Sequence, residues 1–133
     1  MRAFGRSTKT MFAAAVLVAI AGASTAWAQA QGEWKAPPEA KATKNPEKGI
    51  GDAKKVIEQN CVPCHGTSHK GDGPAAAALP TKPADWTSDK VQKESDGEIF
   101  WKISNGRGPM PPWKHLPDKQ RWEIVNYIRS LKK

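Results

Sequence analysis

The sequence predicts an all-α domain of short helices joined by long loops, and three observations carry that prediction. No stretch alternates apolar and polar residues as a half-buried strand does, whereas the C-terminal segment repeats apolar residues at helical spacing. From Gln29 onward, 20 of 105 residues are Gly or Pro, which limits how far any helix can run. Large apolar side chains are also scarce. The chain of 133 residues is 38% hydrophobic, but residues 1–28 hold 18 of those 51 residues. From Gln29 onward only 21 large apolar side chains remain once ten Ala and two Cys are set aside. A compact domain must offset its conformational entropy by burying apolar surface. So thin a supply leaves no room for two domains or a further membrane span. It also implies that something other than side chains fills part of the core.

Arg2, Arg6 and Lys9 precede an uncharged run from Met11 to Ser24, and Ala26-Trp27-Ala28 follows as a small-x-small pattern. This is the layout of a secretory signal peptide, so residues 1–28 are expected to be removed on export. An uncleaved anchor is the alternative, but it wants about 18 or more consecutive apolar residues. The run here is shorter and rich in Ala. Removal leaves 18 Lys+Arg against 13 Asp+Glu, a net +5 in place of +8 for the full chain. Such a balance attracts nucleic acid, anionic lipid or an acidic protein patch. Nucleic acid is not expected outside the cytoplasm, and no basic cluster with interleaved aromatics is present. A docking face for an acidic partner is preferred over scattered solvated lysines.

Residues 29–47 contain Pro37-Pro38 and Pro46 with little apolar periodicity and read as an extended, polyproline-like arm. Within it Trp34 either packs back onto the domain or marks a partner contact. The domain itself is expected over residues 48–133. Its first helix spans about 48–60, with Ile50, Ala53 and Ile57 on one face, and Pro63 stops it soon afterward. Residues 66–90 read mostly as loop, with one helical turn over 75–79. A second helix runs over about 96–105. Ser95 and Glu98 form a capping box at its start, and Asn105-Gly106 a left-handed stop at its end. The prolines within residues 106–117 remove donors and exclude helix there. The last helix covers about 118–131, with Trp122, Val125, Ile128 and Leu131 along its apolar stripe. Asp118 and Arg129 complement the two ends of its dipole.

Cys61-Val62-Pro63-Cys64-His65 is the clustered reactive chemistry of the chain. A Cys61–Cys64 disulfide closes too short a loop to gain much entropy. A thioredoxin-like dithiol should follow a strand in a βαβ pattern, and no strand is predicted here. A zinc site could draw on the two Cys with His65, His69 and His115, but His65 directly after Cys64 is awkward for the same tetrahedral ion. Cys-x-x-Cys-His as a c-type haem attachment motif explains every residue of the cluster. Two thiols at that spacing reach the two vinyl groups of one haem, and the following imidazole lies under the ring to bind iron. Haem would also supply the missing apolar volume.

An iron that only passes electrons takes a second protein ligand. Met110 sits in the Gly- and Pro-rich run 106–113, flanked by Pro109 and Pro111, where a thioether has little to pack against other than a haem face. Core filling is the bland alternative for a lone Met. His69 is too close to His65 to cross to the opposite face of the ring and is expected to be a solvated loop residue. His115 is the competitor, and Met110 is preferred. Thioether ligation raises the potential relative to bis-His ligation.

The runs NCVPCHG, GDGPAAAAL, GEIFWKISNGRGPMPPW and RWEIVNYIRSL resemble a class I monohaem cytochrome c of the bacterial periplasmic type, over about residues 48–132. Val56-Ile57 departs from that pattern, standing where many relatives place an aromatic. The resemblance implies three to five helices enclosing one covalent haem c, with the first and last helices crossing near its attachment site. It implies that His65 and Met110 are the axial ligands of the iron, and that Pro74 offers the backbone carbonyl that orients the proximal imidazole. Trp101, Arg107 and Trp113 become candidates to line the haem or bind its propionates, with packing and solvated charge as the plain alternatives. The leading function is then a periplasmic one-electron carrier between redox partner proteins, either soluble or as a subunit of a dehydrogenase or reductase. A haem enzyme or gas sensor with a displaceable sixth ligand is a second class, and a haem-free thiol or zinc protein a third.

Overall fold

A computed structural model of the chain describes residues 32–133. The expected signal segment and its cleavage site lie outside them. Residues Lys35–Lys133 form one unit. Six α-helices and one 3-10 turn are present among the described residues, with no strand beyond an isolated Arg107–Met110 bridge. The helices are α1 (Pro38–Ala42), α2 (Ala53–Asn60), α3 (Val62–His65), α4 (Asp89–Gln92), α5 (Asp96–Asn105) and α6 (Asp118–Ser130), with the 3-10 turn at Ala76–Ala78. The all-α class expected from the sequence is the class observed.

Three helices build the core. Helix α6 packs against both α2 and α5. Ala53 and Ile57 of α2, Ile99 and Ile103 of α5, and Trp122, Ile124, Val125 and Ile128 of α6 are buried together with Trp86 from the long loop. Of the pair Val56-Ile57, Ile57 is fully buried in this core and Val56 packs at its edge. Helix α2 starts later than the sequence suggests. Gly49 and Gly51 precede it, Gly51 at φ 40°, and Ile50 stays 43% exposed instead of joining the apolar face. Helix α5 has the expected bounds. The Ser95 N–H donates to Glu98 Oε2 at 2.7 Å, the Glu98 N–H donates to Ser95 Oγ at 3.2 Å, and Gly106 at φ 61° ends the helix.

Two parts of the fold depart from expectation. Residues 38–42 of the supposed extended arm are helical, with Pro38 at the first position, where its fixed φ suits a helix start. This short helix packs on α5: Ser95 Oγ donates to the Lys41 carbonyl at 2.9 Å, and a Cβ on Gly97 would overlap the Ala40 carbonyl oxygen. Just beyond it, Asn126 of α6 donates to the carbonyls of Glu47 and Gly49. The segment is thus laid over α5 and α6. Helix α4 was not expected either. Ser88 caps it, and Arg129 of α6 donates to the carbonyls of Gln92 and Glu94 at its end. Among the described residues no helix is long and apolar enough to cross a membrane.

Candidate functional site

Cys61 is both the last residue of α2's hydrogen-bonded run and the residue that opens α3. Its N–H donates to the Ile57 carbonyl at 2.8 Å, and its own carbonyl accepts from the His65 N–H at 2.8 Å. Pro63 therefore does not end helical structure. It stands in the first turn of α3, where a missing N–H costs nothing. One helical turn thus carries Cys61, Cys64 and His65 in sequence. The loop that follows is sewn to this turn by backbone. The N–H groups of Gly71, Gly73 and Ala75 donate to the carbonyls of His65, Cys64 and Pro63 at 2.9, 3.1 and 2.9 Å. Gly73 lies so close to the carbonyls of Val62 and Pro63 that a Cβ there would overlap them.

Both thiols are half-buried and unbridged, and burial, with Cys64 as the second cause, pushes the Cys61 thiol up to about 11. The His65 imidazole is half-buried and has two neighbours. Its Nδ1 stands 3.1 Å from the Ala84 carbonyl, and its ring centroid lies 4.5 Å from that of Trp86. An Nδ1–H donated to Ala84 leaves Nε2 carrying the lone pair, the arrangement common to metal-binding histidines. Burial lowers the imidazole pKa, which favours the neutral, ligating form. The carbonyl facing Nδ1 is that of Ala84, not of Pro74 as the resemblance implied. Pro74 follows Gly73 in the exposed part of the sewn loop, where the Pro63 carbonyl accepts from Ala75.

His69 also differs from expectation. It is buried at 9% exposure, with φ 61°, shares a 3.0 Å hydrogen bond from Nε2 to the Tyr127 hydroxyl, and stacks on Trp86 at 5.4 Å. It is a core residue, not a solvated one. Its partners stand 17 and 58 residues away along the chain, so no local pattern announces them.

Met110 ends a four-residue turn closed on both sides. The Arg107 N–H donates to the Met110 carbonyl at 2.9 Å and the Met110 N–H to the Arg107 carbonyl at 3.0 Å. Gly106 permits the turn, since a Cβ there would overlap the Met110 carbonyl oxygen. The Trp113 N–H, donating to the Ile103 carbonyl at 3.1 Å, ties the far end to α5. Met110, Trp113, Cys61 and Val62 are partly buried and pack against the same core cluster. His115 is exposed, its ring beside Trp113. Arg107 is half-buried and Trp101 lines a groove with Ala40, Thr43, Gly97 and Phe100 on the α1 side of α5. Among the described residues no group of three or more His, Cys, Asp or Glu side chains converges to hold a metal ion, so the zinc ligand set is not assembled.

The donor set fits a covalent haem. Two unbridged thiols lie on one turn with an imidazole whose Nε2 is free to ligate, and a thioether sits on a pinned turn at the same core. The comparisons agree. Residues 49–128, more than half of the chain, match the family model described as cytochrome c oxidase, cbb3-type, subunit III. Among solved structures, a chain of the Kuenenia stuttgartiensis reducing HAO-like protein complex Kustc0457/Kustc0458 is 32% identical with TM-score 0.58, covering 68% of this chain and 47% of that one. This chain therefore spans about half the length of that relative. The KustC0563 c-type cytochrome is 26% identical with TM-score 0.50, covering 65% of this chain and 100% of its own. No curated protein matches the chain. An attachment motif on a backbone-sewn turn, an all-α core and the family match lead to one conclusion: the chain belongs to the cbb3-type cytochrome c oxidase subunit III family and is a monohaem c-type cytochrome, transferring electrons through covalent haem c and its iron.

Proposed function

We propose that the protein is an exported one-electron carrier whose haem is bound by thioethers to Cys61 and Cys64 and ligated by His65 and Met110. Residues 1–28 are the export signal, and the haem-bearing domain covers 48–133, with residues 35–47 packed onto it as part of the same unit. Haem c supplies the redox change of its iron between ferric and ferrous. The chain supplies the rest. His65 offers a neutral imidazole oriented by Ala84, and Met110 offers a sulfur on a turn that its backbone bonds hold in place. The single observation that carries the reading is the 3.1 Å approach of His65 Nδ1 to the Ala84 carbonyl, because it leaves Nε2 as the ligating atom. Two protein ligands leave no open position for substrate, so the protein is a carrier and not an enzyme.

The site takes its electrons from one extracytoplasmic protein and gives them to another, as a free carrier or as a subunit of a larger oxidoreductase. The likeness to a chain of an HAO-like complex favours weighing the subunit form. The net positive charge suits partners with acidic docking patches, giving fast, weak and salt-sensitive encounters. The test is the oxidised holoprotein's sulfur-to-iron charge-transfer band, followed after adding cyanide, with carbon monoxide added to the reduced form. A band present and stable, with no rapid ligand binding, is expected. Immediate binding would identify instead an enzyme or gas sensor with a displaceable sixth ligand.

A further inference from the structure

Behind the proximal histidine lies a group of buried rings that the attachment motif does not account for. Trp86 is buried at 7% exposure, with the His65 ring tilted 32° on it at 4.5 Å and the His69 ring stacked within 15° at 5.4 Å. His69 meets Tyr127 of α6 edge-on at 5.5 Å and shares a 3.0 Å hydrogen bond with its hydroxyl. Three features mark His69 as more than filler. It is the single non-glycine residue at positive φ among the described residues, a conformation that a side chain occupies at a cost unless its surroundings impose it. Its Nδ1 is buried with no partner, a penalty that a plain apolar ring would not incur. Its carbonyl accepts the Trp86 N–H at 2.9 Å, so one residue holds Trp86 by both ring and backbone.

The two restraints on the His65 ring come from one short segment: the Ala84 carbonyl and the Trp86 ring. That segment is fixed on each flank. Gln92 Nε2 donates to the Trp86 carbonyl at 2.7 Å, and a Cβ on Gly71 would overlap the Pro83 carbonyl oxygen. Gln92 Nε2 also donates to the Ile128 carbonyl of α6 at 2.9 Å, and His69 adds a second tie to α6 through the Tyr127 hydroxyl. We propose that His69, clamped by Tyr127, is a positioning residue: through Trp86 and the Ala84 carbonyl it sets the rotational orientation of the proximal imidazole, and hence the electronic asymmetry of the haem. This rests on His65 being the proximal ligand. The imidazole plane, together with the orientation of the Met110 sulfur, decides which iron d-orbital shares spin with the ring. With the sulfur-to-iron band unchanged, a rotation of the imidazole is therefore read in the paramagnetic shifts of the haem methyl groups.

The experiment compares wild-type ferric holoprotein with Tyr127→Phe, which keeps the ring and removes the hydroxyl, and with His69→Asn. Asparagine tolerates positive φ, so this variant removes the stack while sparing the backbone. Proton NMR of the haem methyls is recorded beside the sulfur-to-iron band and the midpoint potential. Both variants are expected to reorder or compress the methyl shifts and move the potential, with the band and the low-spin state retained. Adding the second substitution to the first should change the shifts less than two independent effects would. A methyl pattern unchanged in Tyr127→Phe and in a folded His69→Asn, with the band intact, would overturn the positioning role alone. A wild-type spectrum without low-spin His/Met features would overturn the ligation reading on which it stands.

Discussion

His65 shows how one side chain is prepared by groups far from it in sequence. Burial lowers its pKa and so favours the neutral imidazole, and the Ala84 carbonyl selects the tautomer whose Nε2 can bind iron. In the proposed ligation Met110 contributes a thioether, a ligand that stabilises ferrous iron and raises the potential. Met110→His should keep the haem low-spin but lower its potential by roughly a few tenths of a volt, within the about 0.8 V that axial ligands span. An optical titration of the variant checks this, and an unchanged potential would remove Met110 from the iron. At this scale the sequence is informative where chemistry demands neighbouring residues. Cys61, Cys64 and His65 must be close in the chain to serve one ring, so the motif is readable. Ala84 acts through its carbonyl, which every residue has, and so leaves no trace in the side-chain pattern. His69 looked solvated because the rings that bury it, Trp86 and Tyr127, come from elsewhere in the fold.

Among the elements, α5 was readable to the residue because both of its ends carry local chemistry: a reciprocal cap at Ser95 and Glu98, and a glycine with positive φ at 106. The Ser95 N–H, helped by the charge of Lys41, holds the Glu98 carboxyl below the usual carboxylate range. A folded-state pKa below the unfolded one means that the stabilisation is complete above the unfolded value of about 4.3 and fades as pH falls through the folded value. Glu98→Ala is therefore expected to cost about 1 kcal/mol at pH 7. Urea unfolding of both proteins should show that gap closing below about pH 4; a gap independent of pH would contradict the cap's electrostatic part. Helices α1 and α4 were missed for a common reason. Each is five residues or fewer and takes its stability from a neighbour, α1 from the bare backbone of Gly97 and α4 from the Arg129 side chain at its carbonyl end. Such turns have too little periodicity to register alone. The same dependence explains the late start of α2, where Ile50 has no partner surface and remains exposed.

For the molecule as a whole, the scarcity of large apolar residues takes on a definite meaning. The buried cluster draws on α2, α5, α6 and Trp86, while Cys61, Val62, Met110 and Trp113 pack at its edge only partly buried. Covalent haem adds apolar surface to that edge at the turn Cys61–His65, and in the proposed ligation it also ties that turn to the turn at Met110. A variant with Cys61→Ala and Cys64→Ala should accordingly lose most helicity in circular dichroism, and native-like helicity without haem would refute the dependence. Overall charge belongs to this scale too. If the basic surface steers docking, electron exchange with an acidic partner should slow several-fold between low and physiological salt, and stopped-flow rates that ignore ionic strength would remove the steering. The central claim is a low-spin haem held by His65 and Met110 that passes one electron at a time, and an optical redox titration of the purified holoprotein tests it most directly. The account predicts a single one-electron wave in which the low-spin spectrum changes and the sulfur-to-iron band of the oxidised form disappears in step. A high-spin spectrum, or a wave with no such band, would contradict it.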